Sequence, residues 1–140
     1  MAHATRSNLG YLLAKAAQRW NERLEAAFAE RGYPEVRASF GSVLIPLFEE
    51  DHLRMGEIAR RARLSKQTMT TLVRLCEREG LVERARDRAD ARAVVVSLAP
   101  KAERFRDVAE SVLAAMEEDA ADALGARRMG TLRKSLAELA

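Results

Sequence analysis

Hydrophobic residues recur with helical spacing in two long stretches, one near each end of the chain. In residues 8–30 the apolar positions keep a 3.6-residue period over about six turns, until Gly32 and Pro34 end it. A second stripe follows Pro100, a residue suited to the first turn of a helix, and Gly125 separates it from a last periodic stretch. The pattern predicts one long helix near the start and two helices at the end.

Shorter periodic stretches fill the middle of the chain. Residues 36–50 have helical spacing, and Pro46 inside them predicts a kink or an early end. Leu53 is predicted to begin a strand of one or two residues. Residues 55–62 then predict a helix of about two turns, followed by a turn at residues 64–65.

Ser65 is well suited to cap the next helix, because its hydroxyl can accept a hydrogen bond from an amide of the first turn. The inward positions of that helix have the spacing i, i+3, i+4 and i+7 and are Met69, Leu72, Val73 and Cys76. Gly80 follows them as the stop signal. Residues 81–85 and 93–98 then predict a β-hairpin, joined by a polar loop too long for a two-residue turn.

A helix, a turn, a second helix and a hairpin in this order are typical of a winged helix-turn-helix. The predicted fold class is therefore mainly α, an α+β winged helix-turn-helix with long flanking helices, with about six helices and a β-hairpin wing. Residues 1–140 are predicted to form a single domain, in which residues 36–99 make the winged lobe.

Positive charge is concentrated in this predicted lobe. Residues 54–92 contain 11 Lys or Arg against 6 Asp or Glu, whereas the remainder contains 13 against 15, and the whole chain has a net charge of +3. A localised positive charge favours a phosphate-binding surface, and duplex DNA is the predicted partner. A solvated basic face would have the same composition, so the prediction depends on the order of the elements as well.

The polar face of the helix that starts at Ser65 has the chemistry needed to read a major groove. Ammonium, amide and hydroxyl groups pair with base edges there, so the predicted base contacts are Lys66, Gln67, Thr70 and Thr71. Phosphate contacts, which position without specifying, are predicted for Ser65 and Arg74. Thr68 completes the predicted surface of this helix.

The hairpin loop is rich in arginine and is predicted to enter the adjacent minor groove. Its candidate contacts are Arg84, Arg86, Arg88 and Arg92, with Arg88 at the tip. Asp90 is unexpected in a loop that faces DNA. We expect it to pair with a neighbouring arginine such as Arg92 and so to fix the shape of the loop.

Several short motifs in this region resemble those of the MarR family of bacterial transcription regulators. They are Glu57-Ile58-Ala59, Leu64-Ser65, Gly80-Leu81-Val82-Glu83-Arg84, Asp90-Ala91-Arg92 and Val96-Ser97-Leu98. The resemblance extends over essentially the whole chain. It implies a homodimer that binds a pseudo-palindromic operator, often as a repressor, and that is often released by a small aromatic ligand.

Three positions depart from the family pattern. Arg54 stands where Thr or Ser usually caps the first helix of the module, and Arg63 stands where the turn usually has glycine. Residues 98–102 replace the usual Leu-Thr-x-x-Gly at the end of the wing. Arg63 is added to the predicted phosphate contacts.

The flanking helices, residues 8–30 and 101–140, are predicted to join two copies of the chain, since a two-fold dimer is the commonest oligomer. The alternative is that they pack within one chain. In the family, effectors bind where these helices meet the lobe. Tyr11, Trp20 and Phe40 are therefore candidate ligand contacts, although aromatic residues on an apolar stripe also suit a core.

Other functions have little support in the sequence. Cys76, the single cysteine, falls on an inward stripe and suits a core thiol better than a redox sensor. His3 and His52 are far apart, and no metal, cofactor or catalytic site is predicted. The chain has no run of about 20 apolar residues and no apolar signal segment, so the cytoplasm is expected. The alternative function is a winged helix that binds a protein instead of DNA.

Overall fold

The computed structural model describes residues 4–140, so His3 lies outside the described residues. Within that range the chain forms six α-helices and three strands, in the order α1 (Leu9–Glu30), α2 (Gly41–Glu49), β1 (Leu53–Arg54), α3 (Met55–Ala62), α4 (Lys66–Arg78), β2 (Val82–Arg86), β3 (Val94–Leu98), α5 (Pro100–Leu124) and α6 (Ala126–Leu139). A 3-10 turn at Ala38–Phe40 precedes α2. The predicted fold class, mainly helical with a winged helix-turn-helix between long flanking helices, is confirmed.

The prediction for residues 36–50 is partly wrong. The helical part is shorter, because α2 begins at Gly41, and it does not end at Pro46 but continues to Glu49. Proline removes one backbone hydrogen bond from a helix interior. The Pro46 ring is buried, as are Val43 and Leu47 on the same helix, and this packing offsets the lost hydrogen bond.

The turn between α3 and α4 is tight and depends on two residues. Arg63 adopts the left-handed conformation at φ 55°, ψ 44°, which favours glycine and costs another residue about 1–2 kcal/mol. The Ser65 hydroxyl then accepts a hydrogen bond from the Thr68 amide at 3.1 Å, so Ser65 is the N-cap of α4, as predicted. Together they set where α4 begins.

The sheet is antiparallel and has the order β1-β3-β2. Leu53 and Arg54 of β1 lie opposite Val96 and Val95 of β3, which confirms the predicted short strand. Strands β2 and β3 pair from Val82 to Arg86 and leave residues 87–93 as the loop of the wing. One face of this sheet, containing the buried Leu53 and Val96, closes the lobe.

The core is formed by α2, α3, α4 and the sheet, and it extends along α5 and the second half of α1. Phe105 of α5 is 2% exposed and makes edge-to-face contacts with Phe28 and Tyr33, at centroid distances of 4.8 and 5.0 Å. By contrast, α6 has no buried residue. The helices between residues 4 and 140 include none that is long and apolar enough to cross a membrane.

Candidate nucleic-acid interface

Helix α4 separates an apolar inner face from a polar outer face. Met69, Val73 and Cys76 are fully buried against the core. The outer residues Ser65, Lys66, Gln67, Thr68, Thr71 and Arg74 are exposed, and Thr70 is half-buried. No acidic residue occurs in α4 before Glu77. The first three turns of the helix therefore present uncharged or positive groups to solvent.

The two candidate threonines are not equally placed. The Thr70 hydroxyl donates to the Lys66 carbonyl at 2.8 Å and also contacts Met55 Sδ at 3.4 Å, which directs it towards α3. The Thr71 hydroxyl donates to the Gln67 carbonyl at 3.1 Å and is exposed. A hydroxyl that donates in this way retains its acceptor capacity. Thr71 is therefore better placed than Thr70 to meet a base edge.

Two aspartates shape the loop of the wing. Asp87 Oδ1 accepts a hydrogen bond from the Ala89 amide at 2.9 Å, and Asp90 Oδ1 accepts from the Arg92 amide at 3.0 Å. The Arg92 guanidinium also donates to Asp90 at 3.2 Å, so the pairing expected for Asp90 is present. Backbone amides, followed by guanidinium groups, hold the pKa of both carboxyls below the usual range. The loop is thus held by charged side chains that accept backbone hydrogen bonds.

The wing arginines differ in whether a carboxylate pairs with them. Arg86 and Arg88 are exposed, and no carboxylate among residues 4–140 pairs with either of them. Arg84 instead shares a face of β2 with the buried Val82, and its guanidinium contacts Glu77 of α4 at 2.9 and 3.1 Å. Arg84 is consequently occupied in joining the wing to α4, whereas Arg88 is available to a ligand.

A cleft of about 680 Å³ separates α3 and α4 from the wing. Its lining includes Arg54, Lys66, Thr70 and Arg92, so the structure brings the start of α4 and the wing to one concave surface. The sequence did not predict that Arg54 lies at this surface. An arginine at the start of α3, where Thr or Ser usually caps the helix, could have indicated that its side chain has another partner. Its guanidinium contacts Asp87 in the wing.

The arginines of α3 contribute less to this surface than their number suggests. Glu57 pairs with both Arg60 and Arg61, and Arg61 also reaches Glu50 at 2.7 Å. Hydrogen bonds from these guanidinium groups lower the pKa of Glu57 to about 2. The unpaired positive charge therefore lies at the start of α4 and on the wing. Arg63, exposed at the turn between α3 and α4, adjoins it.

Comparison with known proteins shows what the lobe resembles. A family model described as "MarR family" matches residues 47–93, which include α3, α4 and most of the wing. The central part of the chain is thus similar to the MarR family. A curated relative, the HTH-type transcriptional regulator TtmR of Methylorubrum extorquens (strain PA1), is 44% identical over 59 residues, which are 42% of this chain and 30% of that protein. The chain thus matches less than a third of the length of this relative.

Solved structures share the fold over nearly the whole chain. The PcaV transcriptional regulator from Streptomyces coelicolor, in complex with its natural ligand, has a TM-score of 0.82 at 20% identity and covers 99% of this chain and 96% of its own. The transcriptional repressor CouR, bound to a 23-mer DNA duplex, has a TM-score of 0.82 at 23% identity with 99% of both chains covered. At these identities the likeness shows the fold alone.

Outside the winged lobe, α1, α5 and α6 form an apolar groove of about 610 Å³. Leucines of α1 and α6 line it, together with Trp20. The three candidate ligand contacts are not gathered there: Tyr11 is exposed and does not line the groove, while Phe40 is 3% exposed in the core. The structure brings only Trp20 to a cavity of ligand size.

Cys76 behaves as a core residue. Its side chain is fully buried, and this burial raises the pKa of the thiol to about 12. A thiol of this kind is a poor nucleophile at neutral pH. Among residues 4–140, no group of three or more His, Cys, Asp or Glu side chains is arranged to hold a metal ion.

Proposed function

We propose that this chain is a DNA-binding transcription regulator that acts in the cytoplasm as a homodimer. The observation that carries the proposal is the outer face of α4, which is exposed and free of acidic residues over Lys66 to Cys76 and lies beside two unpaired wing arginines. In this arrangement α4 enters a major groove and the wing enters the flanking minor groove.

The division of labour follows from the chemistry of the side chains. Lys66, Gln67 and Thr71 are proposed to read base edges, because each is exposed on the first half of α4. Ser65, Thr68, Arg63 and Arg74 are proposed to hold phosphates, which fixes the position of α4. Arg88, Arg86 and Arg92 are proposed to approach the minor groove, while Thr70 and Arg84 have supporting roles because both are engaged within the lobe.

The flanking helices are proposed to supply the dimer interface. Large apolar side chains that are 39–61% exposed line the groove, namely Leu9, Leu12 and Leu13 of α1 and Leu132 and Leu136 of α6. A contiguous apolar surface of this kind marks an interaction site. Two-fold symmetry would then place two copies of α4 one helical turn of DNA apart, which predicts half-sites with centres about 10 base pairs apart.

Repression and release by a small aromatic ligand are proposed from the family resemblance. A related fold has been solved on a DNA duplex and another with its natural ligand. Trp20 is the one tryptophan of the sequence and lines the groove, so its fluorescence reports on ligand entry there. Quenching of this fluorescence by an aromatic acid, together with loss of bound operator, would support release; quenching without loss of operator would contradict it.

The test of DNA binding uses the DNA upstream of the chain's own gene. We expect footprint protection over a pseudo-palindrome and an affinity that falls steeply with salt, because arginine and lysine displace counterions from phosphates. Lys66→Ala and Arg88→Ala should each weaken binding at least fivefold. Arg104→Ala, which removes an equal charge from the exposed face of α5, should leave it unchanged. Absence of a footprint at low salt, or equal binding by all four proteins, would contradict the proposal.

A further inference from the structure

Arg54 joins three parts of the lobe. Its backbone belongs to β1 and lies opposite Val95 of β3, and it is also the residue from which α3 starts. Its side chain does not cap α3, although a cap residue usually supplies that hydrogen bond. Instead, Nε donates to Asp87 Oδ2 at 2.6 Å, and Nη2 lies 2.5 Å from the same oxygen.

This contact crosses the sheet. Val95 of β3 lies opposite both Arg54 of β1 and Ala85 of β2, so the three side chains share one face of the sheet. Asp87 follows Ala85 by two residues and continues along that face. The Arg54 side chain therefore extends over β3 and holds the loop beyond β2, which links the base of α3 to the far strand of the wing.

Asp87 is suited to receive this contact. Its side chain is 16% exposed, whereas that of Arg54 is 52% exposed, so the carboxylate is the enclosed partner. While Oδ2 meets Arg54, Oδ1 accepts the Ala89 amide, and the Asp87 amide donates to the Ala93 carbonyl at 3.0 Å. Asp87 is thus hydrogen-bonded to Ala89 near the start of the loop and to Ala93 at its end, so a change at the carboxylate affects both ends of the loop.

We propose that Arg54 is a positioning residue that fixes the angle of the wing relative to α3 and α4. Through Asp87 it holds the wing where Arg88 reaches the minor groove while α4 occupies the major groove. The inference rests on the proposed function, since it assigns a role in binding DNA. It differs from a phosphate contact, because Arg54 acts through the carboxylate that it holds.

The two roles predict opposite effects for Asp87→Asn. This variant retains the Oδ1 acceptor for the Ala89 amide but removes the negative charge that Arg54 holds. If Arg54 were a phosphate ligand, the loss of a negative charge beside DNA would release it and tighten binding. If Arg54 positions the wing, Asp87→Asn and Arg54→Gln should each weaken operator binding by about two- to fivefold, the range of an exposed ion pair.

The double variant completes the test. Because both single changes break the same contact, Arg54→Gln/Asp87→Asn should bind no more weakly than the worse single variant. Arg54→Lys, which keeps the charge, should recover part of the affinity. Arg60→Gln is the matched control, since it removes an exposed, carboxylate-paired arginine from α3, the helix that follows Arg54, and should leave affinity unchanged.

A second measurement separates positioning from a general loss of stability. Hydrogen exchange of the amides of residues 87–93 should become faster in Arg54→Gln and Asp87→Asn but not in Arg60→Gln, with the unfolding midpoint of all three unchanged. Tighter binding by Asp87→Asn, additive losses in the double variant, or unchanged hydrogen exchange would each overturn the proposal.

Failure of the positioning role can be told apart from failure of the proposed function. If Arg88→Ala weakens DNA binding while the Arg54 and Asp87 variants do not, the positioning role fails and DNA binding stands. If neither the wild type nor any variant binds DNA, the proposed function itself fails.

Discussion

The winged lobe and the flanking helices solve the problem of burying apolar surface in different ways. In the lobe, three short helices and a small sheet close around fully buried side chains such as Val43, Ile58 and Met69. In the flanking helices, leucines of α1 and α6 remain 39–61% exposed along an open groove. The lobe is closed around a core that continues along α5, whereas the groove between the flanking helices leaves an apolar surface that a second copy is proposed to cover.

The polar residues of the lobe and of the flanking helices also make different kinds of contact. Carboxylates in the lobe accept backbone amides and hold guanidinium groups, as Asp87 does in the wing. Such contacts fix geometry and contribute little to stability when exposed. In the flanks, ion pairs such as Arg133 with Glu117 border the groove and join α6 to α5. Polar contacts in the lobe therefore fix the conformation of the wing, whereas those in the flanking helices lie beside an exposed apolar groove.

The largest effect is expected where the two regions meet. Phe105→Ala removes the ring that packs against Phe28 and Tyr33, and we expect the free energy of unfolding to fall by about 3–5 kcal/mol. Urea denaturation followed by circular dichroism measures it. Ile45→Ala, at an exposed position of α2 outside the groove, is the control and should lower the free energy of unfolding far less. Equal losses for both would mean that the core does not extend from the lobe along α5.

The next effect concerns the groove. Leu132→Glu places a charge on its apolar wall, and we expect the dissociation constant of the dimer to rise at least tenfold, because burying an unpaired carboxylate is costly. Sedimentation velocity over a concentration series measures it, and operator affinity should fall in parallel.

Ile45→Glu is the matched control for this prediction. Ile45 is 50% exposed, close to the 42% of Leu132, but it lies on α2 outside the groove. A dimer disrupted by Ile45→Glu and unaffected by Leu132→Glu would place the interface on the lobe and reverse the comparison.

A smaller effect distinguishes the helix caps of the two regions. Ser65 caps α4 inside the lobe, and Asn8 caps α1 in the flank, with its side chain accepting the Gly10 amide at 3.0 Å. Ser65→Ala should lower the free energy of unfolding by about 0.5–2 kcal/mol. Asn8→Ala should cost less in the monomer, because the first half of α1 is exposed and can fray. A larger loss for Asn8→Ala in thermal denaturation would contradict this ranking.

The lobe was easier to predict from the sequence than the flanks. Its order of elements, the Ser65 cap and the strand at Leu53 follow from spacing and local chemistry, and the structure confirms them. Of the two outcomes predicted at Pro46, the early end is wrong, because propensity is local whereas the packing that keeps α2 helical comes from the whole core. Periodicity could show that the flanking helices have an apolar stripe but not which part stays open.

One part of the candidate site could also be predicted from the sequence, and another part could not. Exposure of α4 follows from its polar stripe, so the face that contains Lys66 and Thr71 could be chosen from the sequence. The partners of the charged residues could not, because they come from distant elements. The contact between Arg84 and Glu77 depends on which face of β2 meets α4, and that between Arg54 and Asp87 depends on the order of the strands.

The smallest expected effect is an acid dependence of the lobe that resides in Glu57. Its pKa is lowered to about 2 by hydrogen bonds from Arg60 and Arg61, against an ordinary value of 4.5. A lowered pKa in the folded state means that the stabilising contribution is complete above about pH 4.5 and is lost as the pH falls towards 2. Glu57→Gln should therefore flatten the decline in stability over that pH range, by a modest amount because the carboxylate is exposed and screened.

Glu83→Gln on the exposed outer face of β2 is the control for this prediction. It removes the same charge without disturbing Arg60 and Arg61, so its stability should decline with pH as that of the wild type does. Urea midpoints measured at intervals between pH 5 and pH 2 decide the matter, and an unchanged slope in Glu57→Gln would show that the α3 network contributes nothing to the acid stability of the lobe.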